Sequence, residues 1–256
     1  MSSQTPDIFT EEIDTLRGGA DADTFTLRNN GDQLNVLLLT PPATHQGTSQ
    51  AEEMLGTEDN DVMYGRQGND TLSSFRGDDF LNGELGNDWL FAGQNNDTLI
   101  GDSGDDTMFG DRGTDTMYGG AGDDVIFGNN EDDTLFGDRG DDTIYGGQGD
   151  DELTGGTGSD LILGDRGDDT LTGVTGRGKG YALIEDFNRQ EDTIQLVGNA
   201  ESYELVNSED IETNNSVDLP SGTAIIYEDF DGSTQVIAIV AGNTSLDLNA
   251  NYFDFF

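Results

Sequence analysis

From Gly56 to Thr172 an apolar side chain falls at the eighth place of every nine residues. The series runs Met63, Leu72, Leu81, Leu90, Leu99, Met108, Met117, Ile126, Leu135, Ile144, Leu153, Ile162 and Leu171. A nine-residue spacing is neither the period of an amphipathic helix nor the strict alternation of a half-buried strand; it marks an internal repeat, here thirteen copies with no insertion. Within a copy, the seventh to ninth places read as a three-residue strand that sends the eighth side chain one way and its neighbours the other. The first six places read as a tight turn. Glycine holds the first place in eleven copies, with Ser74 and Ala92 departing, and the fourth in ten, with Asp59, Asn95 and Glu131 departing. Both glycine positions are read as sites of positive φ. Turn, strand, turn and strand then make a coil of eighteen residues, and stacked coils gather the eighth-position side chains into one thin core. The fold class expected is all-β, a parallel solenoid.

The sixth place is aspartate in every copy: Asp61, Asp70, Asp79, Asp88, Asp97, Asp106, Asp115, Asp124, Asp133, Asp142, Asp151, Asp160 and Asp169. Stacking brings aspartates eighteen residues apart, such as Asp106, Asp124 and Asp142, one above another. Unneutralised, they would push the coils apart. A hard divalent cation that takes six to eight oxygens, carboxylate and carbonyl alike, fits between two such turns, and Ca²⁺ suits this better than the strictly octahedral Mg²⁺. The array carries 29 acidic and 5 basic side chains, net −24, and thirteen turns on two edges form eleven facing pairs. About 11 Ca²⁺ ions would nearly cancel that charge. These thirteen aspartates are the candidate metal ligands, and folding is expected to require the metal.

Composition agrees. The whole chain of 256 residues has 53 acidic and 10 basic side chains, net −43, with 37 glycines and no cysteine. Such a charge repels phosphate and excludes nucleic acid as a partner. Disulfide and thiol chemistry are absent, and no run of about 18 apolar residues suggests a membrane span.

The template Gly-Gly-x-Gly-x-Asp-x-aliphatic-x resembles the RTX, or haemolysin-type, calcium-binding repeats of secreted bacterial proteins, the nonapeptide that general sequence rules associate with a parallel β-helix. The resemblance implies a right-handed parallel β-roll, with Ca²⁺ held by sixth-position aspartates of two turns one coil apart and by carbonyls from their early positions. It also implies export as an unfolded chain and folding outside the cell, where calcium is abundant. The flanks extend it: Asp14–Leu27 resembles a diverged repeat, residues 181–197 resemble the segment that closes such rolls, and Phe253-Asp-Phe-Phe256 is similar to the carboxyl-terminal signal of type I secretion substrates. The amino terminus lacks the basic and apolar stretches of a Sec signal.

Three parts are expected: an amino-terminal cap with one diverged repeat and a polar linker (1–55), the roll (56–172) and a small antiparallel β cap (173–256). Asn35–Thr40 reads as a strand before a Pro41-Pro42 break, and Asp231-Gly232 as the turn of a hairpin in the final cap. His45, the lone histidine, reads as a solvated loop residue in the linker. Gly101-Asp-Ser-Gly104 and three Arg-Gly-Asp triplets fall on repeat turns and are explained by the repeat, so no catalytic residue is assigned and no enzyme is expected. Aromatics recur at the ninth place, with Phe91, Phe109, Phe127 and Tyr145 on one sheet face; they form cross-strand ladders or a stripe for self-association or a surface partner. The function expected is a secreted calcium-binding protein with a structural or cell-surface role. The alternatives are the calcium-dependent module of a secreted protease, lipase or polysaccharide-modifying enzyme, a cytosolic calcium buffer and, most remotely, ice binding.

Overall fold

The computed structural model describes residues 23–29, 32–38, 44–174, 181–196, 202–208, 221–228, 234–242 and 246–255. They form an all-β solenoid. Strands β1 (Asp23–Asn29) and β2 (Asp32–Leu38) make an antiparallel pair, and β2 joins β4 (Glu53–Leu55) in parallel. β3 (Thr44–Gln46) starts the second sheet beside β5 (Val62–Gln67). From β5 to β17 (Thr170–Val174) successive strands alternate between the two sheets, and each pairs in parallel with the strand eighteen residues on until the last two, whose partners lie 22 and 23 residues on. Thr107 faces Val125, Met108 faces Ile126 and Phe109 faces Phe127. The coil of eighteen is thus the repeating unit of the fold.

Each strand is longer than the repeat alone suggested. β8 (Trp89–Gln94), β10 (Thr107–Arg112) and β12 (Val125–Asn130) run six residues, through the ninth place and into the first three of the next copy. The reason lies in the first-position glycines, which are extended and, Gly56 apart, buried; positive φ falls instead at the second and fourth places. Asp102 and Gly120 are second-position examples, with φ of 73° and 111°. At the fourth place Asn95 (84°) and Glu131 (70°) adopt the left-handed conformation expected of glycine there, whereas Asp59 escapes it.

All thirteen eighth-position side chains are fully buried and make the core. On the outer face of one sheet, Phe91, Phe109, Phe127 and Tyr145 stack with ring centroids 4.8–5.0 Å apart and ring planes within 5°. Tyr118 and Phe136 do the same on the other sheet. These ladders leave the rings partly covered by one another, as cross-strand pairing requires.

The carboxyl-terminal end closes in a mixed sheet. β18 (Ala182–Ile184) and β19 (Thr193–Leu196) continue the two sheets in parallel. β20 (Tyr203–Asn207), β21 (Gly222–Glu228) and β22 (Thr234–Ala241) then form an antiparallel meander on one sheet, and β23 (Phe253–Phe255) ends the other. The expected antiparallel region is therefore present. Asp231-Gly232, Pro41-Pro42 and most of Asp14–Leu27 lie outside the described residues.

His45 departs from expectation. It lies on β3, opposite Met63, and so occupies an eighth-position slot. It is only 3% exposed. Its Nε2 stands 3.8 Å from Asp61 Oδ1, and burial lowers the imidazole pKa against the raising effect of Asp61.

Candidate metal centre

The sixth-position aspartates are held by the backbone that stacks the coils. Each turn ends as its strand begins, so the aspartate carbonyl and N–H both point along the solenoid. The Asp106 carbonyl accepts from Val125 N–H at 2.9 Å, one coil on. Its N–H donates to Asp124 Oδ1 at 2.8 Å, and its own Oδ1 accepts from Asp88 N–H at 2.7 Å. This rung repeats eleven times along the array, from Asp61–Asp79 and Asp70–Asp88 to Asp142–Asp160 and Asp151–Asp169, with distances of 2.7–3.1 Å. All thirteen aspartates are at most 3% exposed. The eleven facing pairs expected from the spacing are the eleven rungs.

Eleven of the thirteen carboxylates thus have Oδ1 paired and Oδ2 not, while in Asp61 it is Oδ1 that is left unpaired. The Oδ2 atoms of Asp70, Asp79, Asp88, Asp97, Asp106, Asp115, Asp124, Asp133, Asp142, Asp151 and Asp160 are buried without a hydrogen-bond partner. A buried ionised carboxylate left this way is strongly disfavoured, and burial accordingly pushes the acids toward the protonated form. Asp97 and Asp133 rise to about 8, and Asp70, Asp106, Asp124, Asp142 and Asp169 to about 7, chiefly by desolvation; the charges of neighbouring aspartates add to the effect. Asp115, Asp151 and Asp160 rise to about 6 for the same leading reason.

The first-position glycines explain where that second oxygen goes. A Cβ on Gly101 would stand 2.3 Å from Asp106 Oδ2 and 2.5 Å from the carbonyl oxygen of Gly119, one coil on. On Gly119 it would meet Asp124 Oδ2 at 2.4 Å and the Gly137 carbonyl at 2.7 Å. Glycine is required here for volume: it lets an unpaired carboxylate oxygen and a carbonyl from the next coil approach the same point. Among the described residues no group of three or more His, Asp or Glu side chains converges on one point. A cation here would therefore draw on two carboxylates together with backbone carbonyls. That all-oxygen donor set fits the Ca²⁺ the repeat implies. When bound, such an ion supplies the positive charge that lets facing carboxylates stay ionised.

The geometry also adds a residue that the nine-residue frame misses. Asp192, 5% exposed, accepts from Asp169 N–H at 3.3 Å and from Asn188 N–H at 2.6 Å. It extends one column by a further rung. The signal was its place two residues before Ile194, which pairs with Leu171, but its spacing from Asp169 is 23 rather than 18.

The solution structure of the AlgE6R3 subunit from the Azotobacter vinelandii mannuronan C5-epimerase is similar at 19% identity, over 63% of this chain and 78% of that one, with a TM-score of 0.19. No curated protein matches the chain. The RTX calcium-binding nonapeptide repeat matches at residues 10–34, 55–90, 83–117, 91–126, 109–144, 118–153 and 145–178. With more than half its length so covered, the chain belongs to the RTX calcium-binding nonapeptide repeat family.

Proposed function

We propose that this protein is a secreted, non-enzymatic β-roll that folds as it binds Ca²⁺ outside the cell and serves there as a structural or surface-interaction element. The observation that carries the reading is the row of eleven buried Oδ2 atoms with no partner. Left alone they oppose the fold; with a cation between coils they join it. The ligands are the thirteen sixth-position aspartates, with up to about 11 ions, one for each rung of the array, and first-position carbonyls completing each site. Residues 1–55 and 173–256 act as caps on the roll, since a solenoid needs its ends covered. The aromatic stripe from Phe91 to Tyr145 is the face offered to a surface or to a second copy. Weak affinity in the range typical of extracellular modules, about 10⁻⁴ to 10⁻³ M, suits a chain that stays unfolded in cytosol and folds after export by the type I route.

Circular dichroism of the full chain in EDTA, then in millimolar Ca²⁺, tests the coupling. We expect a disordered spectrum that becomes β on adding calcium; a β spectrum unchanged in EDTA overturns it. Fractionating a producing culture tests the location, and recovery only from the lysate overturns secretion.

A further inference from the structure

We infer that the calcium column runs one coil past the nonapeptide array through Glu52, which takes the part of a sixth-position aspartate; this rests on the calcium reading above. Residues 47–55, GTSQAEEML, contain no aspartate and so drop out of the pattern. Counting back nine from Gly56 nevertheless puts Gly47 first, Glu52 sixth and Met54 eighth. Met54 is fully buried in the shared core, and it faces Leu72 in register.

Two contacts put Glu52 in the column. Its N–H donates to Asp70 Oδ1 at 2.8 Å, the same rung that joins each aspartate to the one eighteen residues on. Its Oε2 occupies the place of an Oδ2. A Cβ on Gly47 would meet Glu52 Oε2 at 2.6 Å and the Gly65 carbonyl at 2.3 Å, just as one on Gly65 would meet Asp70 Oδ2 at 2.7 Å and the Gly83 carbonyl at 2.8 Å. The extra methylene of glutamate is taken up by Thr48, whose N–H donates to Oε2 at 2.7 Å and whose hydroxyl donates to Oε1. The facing carboxylate is Asp70, 1% exposed, with its Oδ2 unpartnered. Glu52, Asp70 and the Gly65 carbonyl thus repeat the donor set of the array. An ion held there fastens the coil from Thr44 to Leu55 onto the roll.

The test compares the full-length wild type with Glu52→Gln, Glu52→Asp and Asp106→Asn. Bound Ca²⁺ is counted by equilibrium dialysis, and backbone protection is followed by hydrogen–deuterium exchange. We expect Glu52→Gln to bind one ion fewer and to lose protection of residues 44–55 by about tenfold, while residues 88–151 are unchanged and Glu52→Asp keeps both. If Asp106→Asn loses ions and Glu52→Gln does not, the Glu52 site is overturned and the calcium reading stands. If the wild type binds none, both fall.

Discussion

The middle of the roll and its two ends solve the same problem differently. In the middle, from Asp88 to Asp142, each aspartate takes one N–H from the coil before it and leaves its second oxygen buried and unpaired. At the ends the turn supplies its own donors. Thr57 gives both its N–H, at 2.6 Å, and its hydroxyl, at 3.1 Å, to Asp61 Oδ2; Asn188 gives its N–H to Asp192 Oδ2. At these two turns Oδ2 is therefore paired, with Asp61 Oδ1 still buried without a partner, whereas the interior Oδ2 atoms wait on a charge from outside. The unmet demand for positive charge lies with the Oδ2 atoms from Asp70 to Asp160.

The sharpest way to break this contrast is to remove one carboxylate from each region. Asp115→Asn takes a ligand from two adjacent rungs, and losing one partner of a buried ionic contact costs about 3–5 kcal/mol. Asp192→Asn removes an end group with its own hydrogen bonds and should cost about 1 kcal/mol. Thermal unfolding in saturating Ca²⁺ measures both, and equal losses would erase the distinction between middle and end.

Proton titration gives a second, smaller test. In the metal-free roll the interior acids rise from the ordinary 3.8 to between about 6 and about 8, so the folded state binds protons that the unfolded chain has released. Stability from this source is complete below the unfolded value and is lost as pH rises through the raised values. In EDTA, moving from about pH 8.5 to about pH 5.5 should therefore recover part of the β spectrum. Calcium affinity should fall over the same interval, because the ion and the protons compete. A metal-free chain that loses β structure on acidification would contradict the sign.

The smallest effect concerns strain within the interior. Glu131 sits at φ 70° where most copies place glycine, and its Oε2 accepts from Gly113 N–H at 3.1 Å. Left-handed backbone costs a non-glycine residue roughly 1–2 kcal/mol, and glycine returns about 0.5–1 kcal/mol of that as unfolded-chain entropy. Glu131→Gly should stabilise the calcium-loaded roll by about 0.5 kcal/mol, read as a rise in unfolding temperature. A fall would mean the exposed hydrogen bond outweighs the strain.

Much of this was legible in the sequence, because two positions of the repeat never vary in character. An aliphatic or Met at every eighth place fixes the inward face, and aspartate at every sixth fixes the rungs, so coil length, core and pair count follow from spacing. The role of the first glycine was harder to read, since glycine serves torsion and volume alike. The distinguishing signal lay one residue later. The second place, where φ turns positive, holds Gly93, Gly120 and Gly147 and the tolerant Asp102, Asp111 and Asn129, but Arg66, Phe75 and Glu84 share it, which blurs the signal. His45 and Asp192 were hidden for a different reason. Each is placed by pairing across the sheet, one where the aliphatic of the eighth place is replaced by imidazole, the other where an insertion shifts the count.

The stacked rings have one more consequence. The chain's only tryptophan, Trp89, lies against Phe91 and Phe109, with ring centroids 6.0 and 6.2 Å away and its side 49% open to water. Phe109 reaches it only from the adjacent coil, so indole fluorescence is a built-in gauge of closure at that seam. The molecule carries its own optical probe at the place where one winding meets the next.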